Sequence, residues 1–138
     1  MKVTRMLIAA ATAVVALGVT VFIAAPAEAA VTRSFSESSD DGAGWGSVTF
    51  NNDGYSWSVD AYILRDSNAS IKLEVCGWYS DWGAWYILKC KYAYNGGRVG
   101  SIRHVTDLGA SANWARVGGV TAYLYVNGTF VDGDWIFP

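Results

Sequence analysis

The two cysteines of this chain, Cys76 and Cys90, are the only ones it has, and they bracket three of its seven tryptophans. Counting inward from both cysteines places Gly83 at the centre, which predicts a hairpin with a loop over residues 81–85. A disulfide closing about 15 residues is worth roughly 3 kcal/mol in the chain-entropy model. Because two cysteines and one histidine do not form a zinc pattern, the cysteines are predicted to be a disulfide rather than a metal site.

The residues inside this hairpin are the candidate binding site. Symmetric pairing would place Trp78 opposite Leu88 and Ser80 opposite Tyr86. A loop bounded by an aspartate and a glycine has few ways to bury two indoles, so its tip is expected to be exposed. Exposed tryptophan and tyrosine anchor protein interfaces, and their ring faces also stack on sugars. The candidate binding residues are therefore Trp78, Tyr79, Asp81, Trp82, Trp85 and Tyr86.

Residues 1–29 have the pattern of a secretory signal peptide. Lys2 and Arg5 precede an apolar run over residues 6–25, which is followed by Pro26 and the small-residue motif 27–29. The apolar run is about twenty residues long, enough to span a bilayer, so a retained membrane anchor is the alternative. Cleavage predicts a secreted, extracellular protein with no membrane contact afterwards, in a compartment that permits disulfides.

The mature chain is short and slightly acidic. Beginning at Ala30, it has 109 residues with eight basic and eleven acidic side chains. This length predicts one folded domain. A nucleic-acid-binding protein would carry a basic patch or stripe, and the sequence contains no such cluster. Nucleic acid is therefore excluded as the expected partner.

The mature chain divides into two parts. Residues 30–44 are rich in serine and aspartate, which predicts a flexible polar arm, with a short strand over 31–35 as the alternative. From residue 45 onward, short runs rich in β-branched and aromatic residues are separated by Gly, Asn and Asp, which is typical of strands joined by tight turns. The predicted fold of residues 45–138 is all-β, an antiparallel β-sandwich or small barrel of seven or eight strands. The predicted strands cover residues 45–51, 54–65, 70–79, 84–94, 98–106, 112–117, 119–127 and 129–137.

Alternation within the strands predicts which side chains form the core. In the second strand the inward set is Tyr55, Trp57, Val59, Ala61 and Ile63, and in the third it is Ile71, Leu73 and Val75. Three further aromatic residues are assigned to the core or its edge, namely Tyr123, Tyr125 and Phe130. The same alternation places Cys76 with Lys72 and Glu74, so the disulfide should lie at or near the surface unless a bulge at Gly77 changes the register.

Enzymatic chemistry has little support in the sequence. A Ser-His-Asp site could combine Ser101 or Ser111 with His104 and Asp107, but no nucleophile elbow is present to activate a serine. Only two glutamates occur in the mature chain, and one of them lies in the predicted arm, which disfavours a paired-carboxylate glycosidase. The chain is predicted not to be an enzyme and to need no cofactor or metal ion.

The layout of this chain resembles that of small secreted proteins of actinobacteria. It consists of an Ala-rich signal, a polar Ser/Asp arm and a small β domain with one disulfide. Some of these are adaptor subunits of secreted antibacterial particles known as umbrella toxins, and the resemblance implies that residues 30–44 thread into a larger partner. We therefore predict a secreted, non-catalytic protein-interaction module whose partner is another secreted or cell-surface protein. The alternatives are a carbohydrate-binding module that recognises a polysaccharide through exposed Trp and Tyr, and a small inhibitor or toxin acting through its stapled loop.

Overall fold

The computed structural model describes residues 29–138, which form nine strands and no helix. Apart from its last position, the predicted signal peptide lies outside these residues. Within residues 29–138 there is accordingly no helix of the length and apolarity that a membrane span requires. The strands are β1 Val31–Ser39, β2 Gly42–Phe50, β3 Ser56–Arg65, β4 Ile71–Asp81, β5 Ala84–Asn95, β6 Ser101–Val105, β7 Ala110–Ser111, β8 Gly119–Val126 and β9 Thr129–Ile136.

The strands form two antiparallel sheets that pack face to face. Sheet A has the order β1-β2-β3-β6, with β7 also paired to β3, and sheet B has the order β5-β4-β8-β9. Side chains from both sheets meet in one core, including Val48 and Ile63 from sheet A and Leu73 and Leu124 from sheet B. These four side chains are fully buried. The predicted all-β sandwich with one disulfide is therefore confirmed.

Alternation in β3 follows the sequence pattern. Trp57, Val59, Ala61 and Ile63 are buried, and the residues between them are exposed. Burying such a set against the opposite sheet contributes about 1.5–3 kcal/mol for each large side chain. Tyr55, the fifth residue of the predicted inward set, is instead exposed because it belongs to the turn before β3 rather than to the strand.

The segment predicted to be a flexible arm, residues 30–44, is ordered in the structure. Residues 31–39 are β1, which pairs with β2 along its whole length, from Val31 opposite Phe50 to Ser39 opposite Gly42. Phe35 is buried, whereas the serines on either side of it are exposed. The serine-rich composition is thus the solvent side of an edge strand with a period of two residues. This corrects the prediction of an arm, and the alternative, a strand over residues 31–35, is the one that the structure shows, extended to Ser39.

The strand predicted over residues 112–117 is absent, and only two residues before it, β7, are paired with β3. Residues 112–118 form a loop held by backbone hydrogen bonds. The N–H of Val117 donates to the carbonyl of Gly54, and the N–H of Gly118 donates to the carbonyl of Trp78. Ala112 and Val117 are buried. The apolar content of this segment therefore reflects a loop packed on the sandwich rather than a strand.

Candidate functional site: an aromatic hairpin tip

The hairpin formed by β4 and β5 contains the predicted disulfide. Cys76 and Cys90 lie directly opposite each other and are bonded. The turn, however, has only two residues, Trp82 and Gly83, because Asp81 already pairs with the residue that follows them. The five-residue loop predicted over 81–85 is therefore wrong.

A bulge explains the shorter turn. The register shifts by one residue next to Gly77, so that Trp78 lies opposite Ile87 and Ser80 lies opposite Trp85. These pairs replace the predicted partners Leu88 and Tyr86. An odd number of residues between the two cysteines does not allow a two-residue turn in perfect register, and one extra residue in β5 resolves the mismatch.

The disulfide lies on the outer face of sheet B, as alternation predicts. Cys76 shares this face with Lys72 and Glu74, and Cys90 opposite it is exposed. Cys76 itself is only 2 % exposed. The staple therefore fixes the two strands of the hairpin just below its aromatic tip without occupying the core.

Aromatic side chains on the outer face of the tip form a group that includes residues from another strand. The ring of Trp135 in β9 lies 5.0 Å from Trp78 and 5.4 Å from Trp85, between ring centroids. Phe137 lies 6.0 Å from both Trp85 and Trp135. One aromatic cluster thus contains Trp78, Trp85, Trp135 and Phe137. Its last two members were not among the predicted site residues. The Asn127-Gly128 turn brings β9 beside β8, but a register shift next to Leu124 is what places Trp135 opposite Thr121.

The opposite side of the tip carries a second, smaller aromatic group. Tyr79 and Tyr86 are cross-strand neighbours whose ring centroids are 5.3 Å apart. Trp114, from the loop after β7, meets Tyr79 edge-on at 4.9 Å. Trp114 is not among the predicted binding residues, because the sequence pattern predicts a strand over residues 112–117. All three side chains leave part of their surface exposed.

Trp82 occupies the apex of the hairpin, and its side chain is 99 % exposed. Its φ angle is +50°, and that of Gly83 is +80°. The turn at Asn127 and Gly128 between β8 and β9 has nearly the same angles, +50° and +79°. Asparagine tolerates this left-handed conformation, whereas most other L-residues lose about 1–2 kcal/mol in it. Trp82 therefore strains the turn, and its exposure means that packing does not offset the strain.

The aromatic surface continues down the outer face of sheet B. Tyr123, Tyr125 and Phe130 lie there rather than in the core, with Phe130 exposed and the other two half-buried. Tyr92 and Tyr94 extend it on β5. The alternation of β8 accounts for this correction, because Ala122 and Leu124 take the inward positions and the tyrosines between them must face outward.

Polar groups on this face bind one another. The indole N–H of Trp78 donates to Oγ1 of Thr121 at 2.9 Å. The Tyr125 hydroxyl donates to Glu74 at 3.2 Å, and Lys72 lies 3.7 Å from the same carboxylate. Lys72 also lies 4.0 Å from the centroid of the Tyr125 ring, a cation–π distance. These polar groups therefore already have partners within the face.

The Ser-His-Asp combination that the sequence disfavours is not assembled. His104 lies on the outer face of sheet A, where its Nε2 is 2.5 Å from Asp60 rather than bonded to Asp107. Its ring stacks on Tyr62. The Ser101 hydroxyl donates to the side chain of Asn95, and that of Ser111 donates to Asn113. Neither serine contacts the histidine, so this constellation cannot act as a triad.

Two further features bear on the chemistry of residues 29–138. They contain no group of three or more His, Cys, Asp or Glu side chains arranged to hold a metal ion. A cavity of about 550 Å³ is present, with Val31, Phe50, Arg116 and Val117 among its lining residues. None of the six candidate binding residues lines this cavity. The hairpin tip therefore does not border this cavity.

The exposed aromatic hairpin is the feature of the described domain that its folding does not explain. The chain matches no protein-family model, and neither a curated protein nor a solved structure is detectably similar to it.

Proposed function

We propose that this protein is a secreted, non-catalytic interaction module that binds another secreted or cell-surface protein through the tip of the β4–β5 hairpin. The observation that carries the proposal is Trp82, a large apolar side chain that is fully exposed in a strained turn. The fold would be more stable with asparagine at this position. Strain of this kind persists mainly at functional sites.

The hairpin holds the backbone at Trp82 in a fixed position, which suits a residue that anchors a protein interface. The disulfide holds the two strands, the two-residue turn fixes the backbone, and Trp85 packs on Trp135 beside it. A backbone that is fixed before binding loses less conformational entropy when the anchor residue binds. Tryptophan is enriched among the interface residues whose truncation costs 2 kcal/mol or more.

The chemistry of the outer face favours a protein over a sugar as the partner. A sugar ring needs a flat aromatic face together with free hydrogen-bonding groups around it. Here Trp78 and Trp85 are tilted by 45° and 57° against Trp135. The neighbouring polar groups Thr121 and Glu74 already have partners. An apolar surface whose polar groups already have hydrogen-bond partners fits the buried centre of a protein interface.

A carbohydrate-binding module is the alternative, and Asp81 next to Trp82 at the apex is the observation that favours it, because the carboxylate could accept hydrogen bonds from sugar hydroxyls. It predicts retention on an insoluble polysaccharide and loss of that retention in Trp82→Ala. An inhibitor or toxin would use the same hairpin to enter a cleft of its target. That version predicts that the purified protein alone inhibits an enzyme or arrests growth.

Secretion rests on the signal-peptide motif and is consistent with the disulfide of the folded domain. The resemblance to adaptor subunits of umbrella toxins is compatible with the proposed binding of a larger secreted partner. Because residues 31–39 are a paired strand, such an adaptor would contact its partner through the hairpin tip and not through a free arm.

Replacing Trp82 with asparagine is expected to raise stability and weaken binding strongly. Relief of the left-handed strain should stabilise the domain by about 1 kcal/mol, which raises the melting temperature by several degrees. Loss of the indole should weaken binding by roughly 30-fold or more. Thermal unfolding gives the first quantity. The amount of partner captured from the culture supernatant by tagged protein, identified by mass spectrometry, reports the second.

The matched control is Asn127→Trp, which places the same side chain in a turn of the same geometry at the other end of the sheet. This variant should lose about 1 kcal/mol to backbone strain and about 1 kcal/mol more with the hydrogen bond that Asn127 Oδ1 accepts from the Ser70 N–H. It should nevertheless capture as much partner as the natural protein. Equal capture by Trp82→Asn and the natural protein would contradict the proposed site. Partner loss in both variants would show that capture is not specific to the hairpin tip.

A further inference from the structure

A buried carboxyl group lies where the edges of the two sheets meet. Glu37 in β1 is only 1 % exposed, and its Oε1 has no hydrogen-bond partner. Buried carboxylates are normally paired with a cation or fully hydrogen-bonded, because the charged form loses its hydration on burial. No ion pair among residues 29–138 involves Glu37.

Two aspartates of β9 face this group. Asp132 lies opposite Leu124 of β8 and Asp134 lies opposite Ala122, and both partners are core residues. The two carboxylates are therefore on the side of an edge strand that faces β1, with Asp132 half-buried and Asp134 exposed. Asp132 Oδ2 accepts the backbone N–H of Ser38 at 2.9 Å, a direct hydrogen bond between the two sheets. We call the contact between β1 and β9 the edge seam.

The seam collects acidic groups without a balancing cation. Burial, together with the neighbouring Asp134 and Asp132, raises the pKa of Glu37 from 4.5 to about 7. The other elements against Glu37 add no charge. β2 places Gly44 opposite it, and the inward residues of the adjacent part of β8 are Ala122 and Leu124.

We propose that Glu37 is a proton-controlled latch of the edge seam. In its neutral form the carboxylic acid donates its O–H to an aspartate carboxylate of β9, which joins β1 to β9. When Glu37 loses this proton to solvent, three carboxylates of like charge face one another and the seam loosens. The latch is separate from the hairpin tip, so it does not rest on the proposed function.

The direction of the pH dependence follows from the sign of the shift. Because the folded protein holds the proton more tightly than the unfolded chain, the stabilisation is complete below pH 4.5 and is lost as the pH rises to about 7. Ordinary carboxylates, whose pKa is lowered on folding, produce the opposite trend. A domain that becomes less stable between pH 5 and pH 8 is therefore the expected signature.

The first measurement is a ¹³C NMR titration of the Glu37 side-chain carboxyl in the natural protein. A midpoint near 7 supports the latch, and a midpoint near 4.5 overturns it. The second is urea unfolding of the natural protein and of Glu37→Gln at several pH values from 5 to 8. The glutamine variant keeps a hydrogen-bond donor at this position and should lose the fall in unfolding midpoint that the natural protein shows.

The control is Glu74→Gln, which removes the other described glutamate from an outer-face position beside Lys72. It should retain the full pH dependence of the natural protein. Parallel pH curves for Glu37→Gln and the natural protein would also overturn the latch. Should Glu37→Gln fail to fold, the NMR titration still decides. Amide hydrogen exchange is measured from pH 5 to 8 and corrected for the rise of the intrinsic exchange rate with pH. The corrected rates should increase in β1 and β9 but not in β4.

Discussion

Replacing Gly77 with alanine is expected to destabilise the domain by about 3 kcal/mol, at the upper end of the usual cost of overpacking a core. A Cβ on Gly77 would lie within 2.7 Å of three carbons of the Trp57 ring. Trp57 is 2 % exposed and is held between the sheets, so it cannot move aside. Since Gly77 also marks the bulge in the hairpin, the same change should disturb the register of the tip.

Gly96→Ala provides the control for this experiment, because a Cβ there would meet no atom within 4 Å. Urea unfolding of the two variants should show a large fall in midpoint for Gly77→Ala and a change within about 0.5 kcal/mol for Gly96→Ala. Combining Gly77→Ala with Trp57→Phe should cost less than the sum of the single changes, because phenylalanine lacks the outer ring atoms. Similar midpoints for Gly77→Ala and Gly96→Ala would contradict this packing.

Removing the disulfide should have an effect of comparable size. The double variant Cys76→Ala/Cys90→Ala opens a loop whose ends are 14 positions apart in the sequence. Closing this loop restricts the unfolded chain, which contributes about 3 kcal/mol to the stability of the natural protein. The melting temperature of a domain of this length should fall by roughly 10 °C or more. Calorimetry of the double variant measures the change, with the natural protein under reducing conditions as a second measurement of the same loss.

The double alanine variant also separates stability from preorganisation. In this variant β4 and β5 should stay paired below the tip. The residues before and after each cysteine still pair across the two strands, and β4 remains paired with β8. The turn at Trp82 should nevertheless exchange its amide hydrogens faster than the matched turn at Asn127. An unfolding free energy within 1 kcal/mol of the natural value would mean that the staple contributes little to this fold.

Features set by local sequence could be predicted. The cysteine spacing predicted the hairpin, and alternation over residues 57–63 predicted the core face of β3. Each depends on contacts between residues near one another in the chain. The bulge at Gly77 was foreseen only as an alternative, because the ring that fills the space above it comes from the opposite sheet.

Features set by distant contacts could not be predicted. Alternation predicted a strand over residues 31–35 only as the alternative to an arm, and the pairing with β2 shows that the strand exists and extends to Ser39. Trp135 and Trp114 reach the hairpin tip through a neighbouring strand and a loop, respectively. The partners of Glu37 lie on β9, nearly 100 residues further along the chain. Sequence spacing contains no direct signal for such neighbours.

The most direct test of the proposed function is photo-crosslinking from the apex of the hairpin. A photoreactive phenylalanine analogue at position 82 replaces one aromatic side chain with another, and the same analogue at position 127 probes the matched turn at the opposite end. After irradiation in culture supernatant, position 82 should give a defined crosslinked protein and position 127 should give none. Crosslinks to the same protein from position 127 but not from position 82 would contradict the assignment of the hairpin tip as the binding site.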